Sequence, residues 1–184
     1  RGPEPTGSPA DVVRLDLPHP GPGPADQADP EVLELIEPDP ATMDLAEAPR
    51  VLGGGAGLVG QGATDEQARA VFALMAAVAA ALGASAGATR VVTDAGWMGY
   101  DRQIGTTGVT LGPDLYIALG VSGASQHVGG LGAPSHVVSV NTDASSPMTA
   151  MANLGLVTDA LGLLVELAGR LGVPVPHEIE KVVA

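Results

Sequence analysis

From Val51 onward the chain alternates short apolar runs with longer stretches of helical period. Val51–Leu52 leads into a glycine cluster, Gly53–Gly57. Thr64 then opens a helix, with Gln67 three residues on as its capping-box partner. The helical pattern runs to Leu82 and stops at Gly83. A short apolar run, Ala84–Ala88, leads to Thr89–Arg90. Leu115–Leu119 predicts a strand ending at Gly120, and Val137–Val140 another ending at Asn141. Leu156–Val157 predicts a last strand before Asp159, and Ala160–Leu171 a helix ended by Gly172. Strands this short, apolar on both faces and separated by helices, predict an α/β domain built on a parallel sheet covered on each side.

The pattern upstream is different. Residues 1–50 hold 11 of the 16 prolines and 11 of the 21 acidic residues. This composition predicts an extended linker over residues 1–48 with at most short strands, such as Val12–Leu17 and Val32–Ile36. Residues 49–184 then form the folded domain. The chain starts with Arg1 rather than Met, and the expectation is a cut point in a longer protein, carrying the remnant of a junction with an N-terminal domain.

Polar residues follow the strand runs. Gly53–Gly57, Thr89–Arg90, Ser122–His127, Asn141–Asp143 and Asp159 each come just after one. In an open parallel sheet those positions gather at one edge, where ligands bind. Loops converging there make a long groove suited to an extended ligand such as a dinucleotide. Between Arg69 and Arg170 the chain has only two cationic side chains, Arg90 and Arg102. Both fall in or beside these loops, which points to an anionic ligand.

Charge and composition remove several function classes. A formal net charge of -13 argues against a nucleic-acid partner, because phosphate backbones are bound through clustered Lys and Arg. With no cysteine there are no disulfides, thiolate chemistry or Cys-ligated metal centres, and no His/Asp/Glu cluster has metal spacing. The cysteine count suits a reducing compartment, and the expected location is cytoplasmic. Residues 71–89 carry no charge, but the helical part, 71–82, spans only about 18 Å. That is short of a hydrocarbon core of about 30 Å, so a buried helix is expected and no membrane insertion. Aromatic residues make up only 2 % of the chain, so the core must be built from Val, Leu, Ile and Ala.

Two motifs invite other readings. Gly55-Ala56-Gly57-Leu58-Val59-Gly60 is a complete G-x-G-x-x-G, but its helix signal starts late, at Thr64. The acidic residue due about twenty positions on would fall among alanines. A flexible, ligand-facing loop is the better reading. Gly120-Val121-Ser122-Gly123-Ala124 lacks the last glycine of a nucleophile elbow. Ser122-Gly123-Ala124 fits better as a helix start whose free N–H groups and hydroxyl hold phosphate oxygens. His127 alone reads as a structural histidine; with Gln126 beside it, the pair offers donors and acceptors together. Asp94 is expected to brace a turn, and Trp97 to be either a core plug or a ring near the cofactor.

Taken in order, these segments resemble the C-terminal half of electron transfer flavoprotein alpha subunits. The matching pieces are Val51–Leu58, Thr89-Arg90 with Asp94–Trp97, Gln103–Gly108, Leu115–His127, Val140–Asp143 and Gly155–Asp159, collinear over roughly residues 45–172. The resemblance implies a Rossmann-like, doubly wound FAD-binding domain that pairs with a beta subunit. It implies an electron carrier, not a substrate-converting enzyme. Such a carrier takes electrons from a flavin-dependent dehydrogenase donor and passes them toward a membrane quinone oxidoreductase acceptor.

By the same resemblance, Arg90 lies against the isoalloxazine ring and favours the anionic, reduced flavin. Thr107 places its hydroxyl near flavin N5, within the segment Gln103, Ile104, Gly105, Thr106 and Thr107. Gln126 and His127 lie near the pyrimidine oxygen and ribityl chain. Thr89, Ser122 and the helix start after it (Gly123, Ala124, Ser125) match the diphosphate and ribityl region, and Asn141 and Asp159 the adenosine end. The family usually has Arg where this chain has Ala56, Ser for Thr89, Gln for Thr106 and Lys for Thr142. It has Asp-Tyr in place of Asn153-Leu154. These departures suggest a divergent paralogue of actinobacterial type, the mycofactocin-associated branch being one candidate. Two alternatives stay open: a degenerate, non-redox assembly subunit of the same fold, and an NAD-dependent oxidoreductase resting on residues 55–60 alone.

Overall fold

The computed structural model describes Leu33, Glu34, Asp39 and residues 43–179. The chain divides into two units, Arg1–Ile36 and Glu37–Ala184. Of the two short strands expected upstream, Val12–Leu17 lies outside the described residues. Only Leu33 and Glu34 of the other are described, and neither belongs to a strand.

Five strands form the core of the second unit: β1 (Arg50–Gly54), β2 (Ser85–Ala88), β3 (Leu115–Leu119), β4 (His136–Asn141) and β5 (Leu154–Val157). They pair in the order β2-β1-β3-β4-β5, and every pairing is parallel. The expected α/β parallel fold is therefore the observed one. The helices that accompany them include α1 (Asp65–Ala81), α2 (Arg90–Asp94), α3 (Ser125–Val128), α4 (Pro147–Met151) and α5 (Ala160–Leu171).

Alternation along the strands sorts the core into two layers. Leu52, Leu119 and Val140 face one way, into a cluster with Phe72, Met75 and Val78 of α1 and Leu161 and Leu164 of α5. Val51, Tyr116, Ala118 and Val137 face the other way, packing with Leu45, Ile104, Leu131 and Met148. Leu45 and Ala48 thus bring the chain upstream of residue 49 into the second layer. Trp97 stacks on Phe72 with ring centroids 6.2 Å apart, and its indole N–H donates to Asp65 at 3.1 Å. This is the core-plug reading of Trp97.

The helix starts are local in origin. Thr64 accepts from the Gln67 amide at 3.2 Å, and the Thr64 amide donates to the Gln67 side chain at 2.9 Å, closing the expected capping box. Asp159 caps α5, accepting from Gly162 N at 2.6 Å and Leu161 N at 3.4 Å. α1 opens only after Thr64, so it does not start from the glycines of residues 55–60. That removes the geometry a dinucleotide fingerprint needs.

The sheet order places a switch point between β1 and β3, since the chain leaves β1 to one side and returns to the other. The glycine cluster makes this crevice tight. Gly55 N donates to Leu119 O at 2.9 Å, and Gly57 N to Gly120 O at 3.1 Å. A Cβ on Gly55 would overlap the Gly120 carbonyl. The cluster is a close main-chain joint, which corrects the expectation of a flexible loop: glycine is needed for contact, not for motion.

Candidate functional site

The strand ends carry the expected loops to one edge: Thr89 follows β2, Gly120–His127 follow β3, and Asn141 closes β4. Three adjoining clefts, each of about 260 Å³, open there. The first is bounded by Thr89, Arg90, Ile104, Thr107, Ser122 and His127, with Val91, Gly105, Val121, Gly123, Ala124 and Gln126 completing its wall. It shares Arg90 and Thr107 with a second cleft that includes Asp94, Tyr100 and Gln103. It shares Thr89 and Ser122 with a third, formed by Gly55, Ala56, Gly57, Asn141, Asp143 and Ser146.

Three predicted residues lie off this groove. Thr106 donates its amide to Gln126 O at 2.9 Å, its methyl group lies against Gly129, and it lines none of the three clefts. Ser125 donates to the Gln126 side chain at 3.2 Å and also lines none. Asp159 has its carboxylate committed to the N-terminus of α5.

The two cations are not free charges. Arg90 pairs with Asp94 at 3.2 Å, one turn along α2, and Tyr100 donates to the same carboxylate at 3.4 Å. Asp94 therefore braces Arg90 as well as the turn. The pair is half to two-thirds exposed, so it is weak and can yield to a ligand. Arg102 lies 3.4 Å from Asp101 and lines none of the three clefts, which narrows the charge argument to Arg90.

A polar chain runs from the buried Thr93 to the wall of the first two clefts. Thr93, which the sequence did not single out, donates to Gln103 Oε1 at 2.7 Å. Gln103 Nε2 donates to Thr107 Oγ1 at 3.1 Å. Thr107 thus has its lone pair engaged from below, leaving its own proton to donate into the cleft. No hydrophobic or polar period marks Thr93; its role comes from α2 leaning over the Gln103 loop.

His127 is among the buried polar residues of the site. Its Nε2 lies 2.8 Å from Tyr116 Oη, while its Nδ1 is buried and meets no hydrogen-bond partner among the described residues. The Ile104 backbone lies close to the ring. Burial lowers the His127 pKa to about 4, opposed in part by that backbone. The imidazole is therefore neutral at physiological pH. Burial also pushes the Tyr116 hydroxyl well above its usual range.

In the third cleft, Asn141 Nδ2 donates to Val121 O at 3.0 Å, and its Oδ1 accepts from Asp143 N at 3.0 Å. Ser145 donates to Asp143 through both hydroxyl and amide, which holds that carboxyl below the ordinary range. No cation lines this cleft.

A parallel α/β sheet with a largely apolar groove carrying a few polar groups at its carboxyl edge, beside the switch point, is the arrangement of nucleotide-cofactor-binding domains. Residues 44–132 match the model of the electron transfer flavoprotein FAD-binding domain. The chain is 42 % identical over 130 residues to protein FixB of Azorhizobium caulinodans, covering 71 % of this chain and 33 % of that protein. It is 37 % identical over 147 residues to the electron transfer flavoprotein subunit alpha of Paracoccus denitrificans, covering 78 % and 45 % respectively. With the mitochondrial alpha subunit of Oryza sativa subsp. indica the identity is 39 % over 139 residues, covering 76 % and 37 %. The chain belongs, through this domain, to the electron transfer flavoprotein alpha-subunit family, and the cofactor of the domain is FAD. It spans between about a third and about a half of the length of these relatives.

The residues present fit that group. The first cleft offers the Thr107 and Ser122 hydroxyls, the Arg90 guanidinium and a buried imidazole nitrogen without a protein partner. A buried polar atom left unpaired by the protein calls for an explanation, and a ligand in the adjoining cleft supplies one.

Proposed function

We propose that this domain carries FAD along the three adjoining clefts and acts as an electron carrier, not as a substrate-converting enzyme. The observation that carries the reading is the unpaired, buried Nδ1 of His127, a residue that lines a largely apolar cleft together with the Arg90 guanidinium and the Thr89, Thr107 and Ser122 hydroxyls. FAD, when bound, supplies reversible one- and two-electron chemistry that side chains lack. Arg90 supplies positive charge beside the ring. Thr107 and His127 hold hydrogen bonds on its polar edge, and Gln126 orients it. Thr89, Ser122 and the amides of Gly123 and Ala124 hold the phosphate region, and Asn141 and Asp143 the far end. The absence of a cation from the third cleft leaves the diphosphate to hydroxyls and main-chain amides.

The carrier works as one half of a complex with a beta subunit. It takes electrons from a flavin-dependent dehydrogenase and delivers them to a quinone oxidoreductase, in the cytoplasm. The proteins that match it are named as electron transfer flavoprotein alpha subunits and FixB, which supports this assignment. Among the described residues no helix is long and apolar enough to cross a membrane.

The intact protein, purified gently, should show bound flavin by absorbance. Arg90→Ala should then lower the flavin midpoint potential by on the order of tens of millivolts, since a cation nearby favours the reduced form. Apoprotein that refuses FAD even with its beta partner present sinks the carrier reading. A non-redox assembly subunit is the second reading, favoured by Ala56 and the cation-free third cleft.

A further inference from the structure

We propose that Tyr116, which lines none of the ligand clefts, is a positioning residue that sets the tautomer of His127. It keeps the imidazole proton on Nδ1, the nitrogen that no protein group satisfies. The inference rests on the reading that FAD occupies the first cleft.

Tyr116 sits on β3 with its side chain fully buried beneath the site. Its hydroxyl is held in place from two sides. Gly53 of the neighbouring strand β1 lies so close that a Cβ there would overlap Oη. His127 Nε2 stands 2.8 Å away, with the two rings tilted at 45°. Among the described residues Nε2 is the one hydrogen-bond partner of this hydroxyl.

A buried hydroxyl that stays protonated must place its hydrogen on an acceptor. Nε2 fills that role only if it carries a lone pair, and neutral imidazole then has its proton on Nδ1. The opposite tautomer would leave the Tyr116 hydrogen in the core without an acceptor. The burial of both groups works in the same direction, keeping the phenol protonated and the imidazole neutral.

The Nδ1–H that results is a donor beside the Ile104 backbone, in the wall that both residues give to the first cleft. Tyr116 thus decides which ring nitrogen of this cleft-lining histidine is the donor. A tyrosine that was only a core plug would fill the same space without setting this choice, and Phe would replace it fully.

The test uses the intact, assembled protein labelled with ¹⁵N-histidine; the chain has four histidines, few enough to assign. Two-bond ¹H–¹⁵N correlations report which ring nitrogen carries the proton. The expected result is His127 neutral with its proton on Nδ1, before and after FAD is bound. Tyr116→Phe keeps the ring and removes the hydroxyl, and should leave His127 a mixture of tautomers. FAD dissociation constants should then rise by about five- to tenfold, the effect of one impaired hydrogen bond.

Wild-type His127 with its proton on Nε2 overturns the proposal without any variant being needed. So does a Tyr116→Phe protein that keeps the Nδ1 proton and wild-type FAD affinity. A wild-type protein that binds no FAD overturns the functional reading instead, and absorbance reveals this before the tautomer is measured.

Discussion

His127 titrates well below the ordinary range of an imidazole. Its ordinary pKa of 6.5 is lowered to about 4 by burial, so the folded chain releases the proton that the unfolded chain still binds. Protonation between those two values therefore favours the unfolded state. Stability attributable to His127 is intact above about pH 6.5 and is lost progressively as pH falls toward 4. The loss is on the order of 3–4 kcal/mol, since each tenfold change in proton affinity is worth about 1.4 kcal/mol. Urea midpoints measured across this range should fall more steeply for the wild type than for His127→Gln. Equal slopes would mean that the histidine is solvated. Single residues were legible where they carry chemistry in a loop. Thr89, Arg90, Thr107, Ser122, Gln126 and His127 all line the first cleft. Legibility failed where a role depends on a contact far along the chain. Thr93 and Tyr116 look like ordinary members of apolar runs, and only packing brings them to Gln103 and His127.

At the scale of elements, the capping box at Thr64 gives the clearest link from sequence to stability. Thr64→Ala removes a side-chain acceptor from the first turn of α1 and should lower stability by about 1 kcal/mol. Chemical denaturation checks the size. Flavin content should not change, because the cap lines none of the three clefts. The long helices were readable because apolar residues recur over 17 and 12 residues and clear stop signals follow. Helices α2, α3 and α4, of five, four and five residues, are too short for a period to show. Strand limits differed for another reason. Gly53, Gly54, His136, Leu154 and Gly155 belong to strands through pairing with neighbours, not through their own side chains.

The molecule as a whole has a charge that opposes its ligand. The 184 residues carry a formal net charge of -13, and a dinucleotide with its diphosphate is also an anion. Arg90 is the cation among the residues lining the three clefts. Long-range repulsion should slow the approach of FAD, and salt should screen it. Association rates, followed by loss of flavin fluorescence, should therefore rise from low to physiological ionic strength. A rate that falls instead would reveal a positive local field at the groove. The parallel order of the sheet followed from short buried strands alternating with helices. The order of strands across the sheet did not, because it depends on which side each crossover takes.

The joint between Gly55 and Gly120 has a consequence for how such a domain can change. Where the two loops meet, the crevice is built from main chain, so it has no side chain there for mutation to rewrite. The rim is different, since Ala56 and Asn141 stand on it and can be exchanged. Descendants of this chain can therefore drift widely in how tightly they grip a ligand while the place where it lies stays the same.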